Sequence, residues 1–181
     1  MARKESFDKD FILKKASEYV DEYCIYDLNV RSLTKFIGCS TQPIFRLFSN
    51  MDLFKKDLKK YLHDEYEIFI NQYIDKDNYL YTISYAYALF ASYKPNIFHA
   101  LFITSLAGSR TVKDVVNSSW NRETIIALSK QYNISLEKAE EVYRDVRFYT
   151  HGIATQLCCK SIILSDEEID NLINNIINKV L

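Results

Sequence analysis

Apolar residues along the 181-residue chain recur at helical rather than strand spacing from end to end. Ile12, Ala16, Tyr19, Val20 and Tyr23 fall at i, i+4, i+7, i+8 and i+11, a single stripe on one helix face. Asn29 is a candidate N-cap for a short helix over residues 30–37 that buries Leu33, Phe36 and Ile37. Gly38 follows at the position where a left-handed backbone ends a helix. Ser40 can cap the next helix, over residues 41–48, with Pro43 in its first turn, where a missing N–H matters least. Asn50 caps a fourth helix reaching the mid-seventies, striped by Phe54, Leu58, Tyr61, Leu62, Phe69 and Tyr73.

The pattern breaks over residues 75–78. A strongly apolar helix over 79–93 follows, then Lys94-Pro95, then a helix over 96–107. After a break at 108–110 the chain reads as helix over 111–132. Ser135 caps a long helix over 136–160. Ser165 and Glu168 have the spacing of a capping box, and the last helix carries the cleanest stripe: Ile169, Leu172, Ile173, Ile176, Ile177 and Val180. The fold class expected is all-α.

Composition agrees, with only 3 Gly and 2 Pro. The glycines, Gly38, Gly108 and Gly152, are too far apart for the glycine-rich dinucleotide or phosphate loops. Net charge is uneven, at +3 over residues 1–60 and −4 over the rest, which aims the N-terminal part at an anionic partner. The four cysteines, Cys24, Cys39, Cys158 and Cys159, show no metal-ligand spacing and read as buried free thiols of a reducing compartment. The charged first residues hold no apolar signal core, and no run of about 18 apolar residues occurs. The expectation is a cytoplasmic protein that does not enter a membrane.

Catalytic constellations do not emerge. His99 and His151 are lone histidines on apolar helices, read as satisfied core residues rather than metal ligands, and His63 sits among charges and reads as exposed. Glu140-Glu141 and Asp166-Glu167-Glu168 read as helix-surface or helix N-terminal charge. No nucleophile–base pair can be placed, so the expectation is a protein that is no enzyme and holds neither metal nor cofactor. Tyr81, Tyr85, Phe90, Tyr93, Phe98 and Phe102 could line a pocket between helices or simply pack a core.

Residues 30–48 have the layout of a helix-turn-helix, whose second helix enters the DNA major groove while the first crosses the backbone. The residues Asn29-Val30-Arg31-Ser32-Leu33-Thr34, Gly38-Cys39-Ser40, Ile44-Phe45-Arg46-Leu47-Phe48 and Leu53 resemble the N-terminal domain of TetR-family transcriptional regulators. Tyr149-Thr150-His151-Gly152-Ile153-Ala154 is similar to an aromatic-x-His-Gly-Ile-Ala segment of some members. Phe45 and Met51 stand where the family pattern has a tyrosine and a lysine.

The resemblance implies an N-terminal three-helix DNA-binding domain over residues 1–60 and a larger helical ligand-binding and dimerisation domain over 61–181. It implies a homodimer on a pseudo-palindromic double-stranded DNA operator, acting as a ligand-responsive repressor. DNA contacts would come from Arg31, Ser40, Thr41, Gln42, Phe45, Arg46 and Lys55, with Lys56 nearby and Arg3 and Lys4 as a basic arm. Gln pairs with adenine, Arg with guanine or phosphate, and Thr with a thymine methyl. A small apolar, aromatic or cationic effector would meet Tyr85, Phe98, Phe102, Trp120 and Tyr149. The dimer interface would use Ile153, Leu157, Ile169, Leu172, Ile173 and Ile176, since the last stripe is too apolar to lie exposed. The alternative, resting on Phe45 and Met51, is a helical scaffold or adaptor that has lost DNA binding.

Overall fold

The computed structural model describes residues 7–104, 111–116 and 118–181, with the side chains of residues 119 and 120 excepted, and every regular element in them is helical. The helices are α1 (Lys9–Tyr23), α2 (Val30–Ile37), α3 (Gln42–Phe48), α4 (Met51–Asn71), α5 (Tyr79–Tyr93), α6 (Pro95–Phe102), α7 (Val112–Val116), α8 (Ser119–Tyr132), α9 (Leu136–Cys158) and α10 (Asp166–Val180). Two short 3-10 turns, Ile25–Asp27 and Lys76–Asn78, sit in the links before α2 and α5. No described helix is long and apolar enough to cross a membrane.

The chain divides into two units. The first takes residues up to Tyr66 and the segment from Asn96 that contains most of α6; the second takes Glu67–Pro95 and the later helices. The sequence boundary at residue 60 missed the return of α6. Ile97 and Phe98 of α6 are buried, Asn96 donates to the carbonyl of Asp21 at 2.7 Å, and the rings of Tyr66 and Phe102 meet edge-on at 5.1 Å. These partners lie 75 and 36 residues away in sequence, which no local pattern registers.

In the first unit Ile12, Ala16 and Val20 of α1, Leu33 of α2, Ile44 and Phe48 of α3, and Phe54, Leu58 and Leu62 of α4 are all almost fully buried. Each of these valine, leucine, isoleucine and phenylalanine side chains contributes about 1.5–3 kcal/mol relative to exposure. The caps follow from sequence. Asp8 accepts from the Phe11 N–H at 2.8 Å, and Asn50 accepts from that of Leu53 at 2.9 Å. Gly38, at φ 78°, closes α2 by donating to the Thr34 carbonyl. Ser40, the expected cap of α3, does not serve: Thr41 holds that position with a helical backbone and no side-chain cap bond.

In the second unit α5 is apolar nearly all round. It buries Leu80, Ser84 and the run from Ala86 to Ala91 because α8, α9 and α10 all pack on it. Ser165 and Glu168 form the reciprocal capping box, which holds the Glu168 carboxyl below its ordinary range. Residues 111–132 are two helices rather than one, α7 ending at Val116 and α8 starting at Ser119. Thr111 and Asp114 bond each other across the first turn of α7. The break expected at 108–110 lies outside the described residues.

Three expectations about side chains are corrected. Of the cysteines only Cys158 is buried; Cys24 and Cys39 are half-buried and Cys159 is exposed at the end of α9. His99 is not satisfied: its Nδ1 is buried without a hydrogen bond while its ring meets Tyr26 edge-on at 5.5 Å. His63 is half-buried, with its ring 5.7 Å from that of Tyr66.

Candidate nucleic-acid interface

Local chemistry sets the angle between α2 and α3. Gly38 turns the chain in the left-handed region, and Cys39 and Gly38 both donate to the Thr34 carbonyl, one of the acceptors that the end of α2 would otherwise leave open. α3 is seven residues, about two turns. Ile44 and Phe48, four apart, face inward. Lys9 of α1 lies over the Phe48 ring of α3 at 5.2 Å and pairs with Asp57 of α4 at 3.1 Å, so one side chain of α1 touches both helices.

With Ile44 and Phe48 committed to the core, the opposite face of α3 is left to solvent. Thr41, Gln42, Phe45 and Arg46 are all exposed, as are Arg31 and Ser40, while Lys55 is half-buried at the start of α4 and Lys56 exposed. Phe45, a large apolar residue, keeps 51% of its surface exposed. Arg46 is turned toward the chain, its Nη2 donating to the Phe7 carbonyl at 3.4 Å. The residues named from sequence as DNA contacts thus lie on one continuous stretch of chain, outside the core. Arg3 and Lys4 lie outside the described residues.

The expected effector residues are not one set. Phe98 is fully buried in the first unit and packs on Phe102 at 5.1 Å, as core rather than wall. Phe90 is likewise buried, and Tyr93 is 58% exposed. Tyr85 stacks on Tyr81 at 5.8 Å, and the Tyr81 hydroxyl donates to Asp170 of α10; burial and that carboxylate push the Tyr81 phenol up. The Trp120 side chain lies outside the description. Tyr149 lines an open apolar groove of about 410 Å³ with Phe148, Gly152, Ile153, Ile162 and Leu172. Sequence reasoning passed over that groove because Phe148 and Ile162 belong to no stripe.

The expected interface residues also divide. Ile169 and Ile173 are buried within the chain's own core with Ile153, Leu157 and Ile177, so the stripe of α10 is covered by α5 and α9. The apolar stripe of α10 therefore needs no second chain to cover it. Leu172 and Ile176, half-buried, are the members still partly open. No protein-family model and no curated protein matches this chain.

Proposed function

We propose that this chain is a ligand-responsive transcriptional regulator of the TetR type, a repressor that binds a pseudo-palindromic operator as a homodimer. The supporting observation is the exposed row Thr41, Gln42, Phe45 and Arg46 on α3, a helix whose inward face is fixed by Ile44 and Phe48. A helix so held presents polar side chains to base edges without distorting its own unit. Arg31 and Lys56, exposed on the flanking helices, suit phosphates.

On this reading the first unit reads DNA and the second binds effector and partner chain. Leu172 and Ile176, with the groove residues Phe148, Tyr149 and Gly152, form the open apolar surface left for a second copy. The effector acts by binding more tightly to the dimer form that fits the operator less well; without such a difference it shifts nothing. A scaffold that docks a protein on this face is the second reading, favoured by the exposure of Phe45 and Leu53.

Fluorescence anisotropy with labelled DNA from upstream of the chain's own gene separates them. The regulator reading expects sequence-dependent binding that weakens steeply with salt and loses its sequence dependence in the double variant carrying both Gln42→Ala and Arg46→Ala. Binding no tighter than to random duplex at 50–200 mM salt would refute it.

A further inference from the structure

Phe45 is the apolar member of the exposed row Thr41, Gln42, Phe45 and Arg46 on α3. Its backbone is fixed at both ends. The Phe45 N–H donates to the Thr41 carbonyl at 3.3 Å, and its carbonyl accepts from the Ser49 N–H at 3.2 Å. Ile44, beside it in the chain, keeps 1% of its surface exposed. Phe48 keeps 2%, its ring meeting that of Phe54 edge-on at 5.1 Å. The helix therefore cannot roll to bury the Phe45 ring without expelling Ile44 or Phe48 from the core. Phe45 stands four residues after Thr41 and three after Gln42, on their face of α3.

An apolar ring fixed in the middle of a polar row gains most from an apolar group opposite it. Phosphate oxygens offer none, and a phenyl ring has no donor to give them. Base edges in the major groove present hydrogen-bond donors and acceptors and one apolar group, the C5-methyl of thymine. The charge of this unit suits duplex DNA. Arg31 of α2, Arg46 of α3 and Lys56 of α4 are exposed, and residues 1–60 carry a net charge of +3.

We infer that Phe45 is a specificity-determining residue that reads the methyl group of a thymine in each half-site of the operator. The inference rests on the regulator reading and deepens it by naming a base that the operator must contain. Gln42 and Phe45 are separated by about 4.5 Å along the helix axis, against about 3.4 Å per base step. The thymine therefore lies within two base pairs of the base that meets Gln42. A contact to phosphate is the same on every sequence; a contact to this methyl group is made on thymine alone.

The test uses duplexes that the full-length chain selects from a random library, with each thymine replaced in turn by uracil, which lacks only the C5-methyl. Fluorescence anisotropy should show binding about fourfold weaker at one position of a half-site, the burial of one methyl group. Replacement in both half-sites should weaken it about fifteenfold. Phe45→Ala should bind the thymine and uracil duplexes alike while keeping the base preference that Gln42→Ala relaxes. Phe45→Leu should retain part of the discrimination. Circular dichroism checks that each variant folds, and the uracil series on the parent chain needs no variant. Uracil tolerated at every position would overturn the inference. So would a uracil effect undiminished in folded Phe45→Ala, which would assign the methyl group to another side chain. Either result leaves the regulator reading standing. A chain that enriches no sequence from the library sinks that reading, and this inference with it.

Discussion

Asn29 and Ser32 cap α2 reciprocally: the Asn29 side chain accepts from the Ser32 N–H at 3.0 Å, and the Ser32 hydroxyl accepts from the Asn29 N–H at 2.9 Å. The hydroxyl also donates to the Asp27 carbonyl at 2.8 Å, tying the preceding 3-10 turn to the helix. An eight-residue helix has few internal hydrogen bonds, so its ends weigh heavily. Asn29→Ala should lower stability by about 1 kcal/mol. Urea melts should show a lower midpoint at unchanged slope; a midpoint within error of the parent would mean that packing of Leu33 alone holds α2.

His151 gives a pH dependence with a definite sign. Burial and the neighbouring Arg147 guanidinium push its folded value down to about 4, below the ordinary 6.5, so the unfolded chain takes up this proton first as pH falls. The contribution of the neutral imidazole to stability is complete above about pH 6.5 and is lost progressively toward pH 4. Imidazole resonances followed by NMR should titrate well below 6.5 for His151. His151→Gln should flatten part of the fall in melting temperature between pH 7 and pH 5. A His151 midpoint at or above 6.5 would show a solvated ring.

For the proposed DNA contacts, base and phosphate readers should behave differently. Gln42→Ala should relax preference at one base in each half-site, a loss of about 1–3 kcal/mol there. Lys55→Ala should weaken all sequences alike and reduce the salt slope by about one. Binding-site selection with each variant reads both effects. Unaltered base preference in Gln42→Ala would place the reading residues elsewhere on α3.

Assembly can be separated from folding by position. Ile173 is fully buried within the chain, so Ile173→Glu should unfold it whether or not a dimer forms. Gly152 differs, because a Cβ built there meets nothing within 4 Å. Gly152→Glu should keep the helical spectrum and, if the groove is covered by a second copy, convert dimer to monomer in sedimentation velocity. A parent chain that sediments as a monomer at micromolar concentration would remove the dimer from the proposal.

What the sequence by itself determined was local. The capping sites Asn29, Asn50, Ser135 and Ser165, the glycine stop at Gly38 and the stripes of α1 and α10 are legible because a cap or stripe is set by residues within a turn or two. The exposure of Gln42 and Arg46 was legible for the same reason, since Ile44 and Phe48 fix which way α3 faces. Only the tertiary structure decided where each stripe is covered. The apolar row of α10 looks from sequence like an interface and turns out to be filled by α5 and α9, because hydrophobic burial has no direction and accepts any apolar partner in reach. The same holds for Phe98, an imagined pocket wall that packs as core. The guanidinium of Arg147 lies over the ring of Tyr87, 60 positions earlier, a contact that the packing of α5 on α9 makes and that nothing in its neighbours along the chain marks.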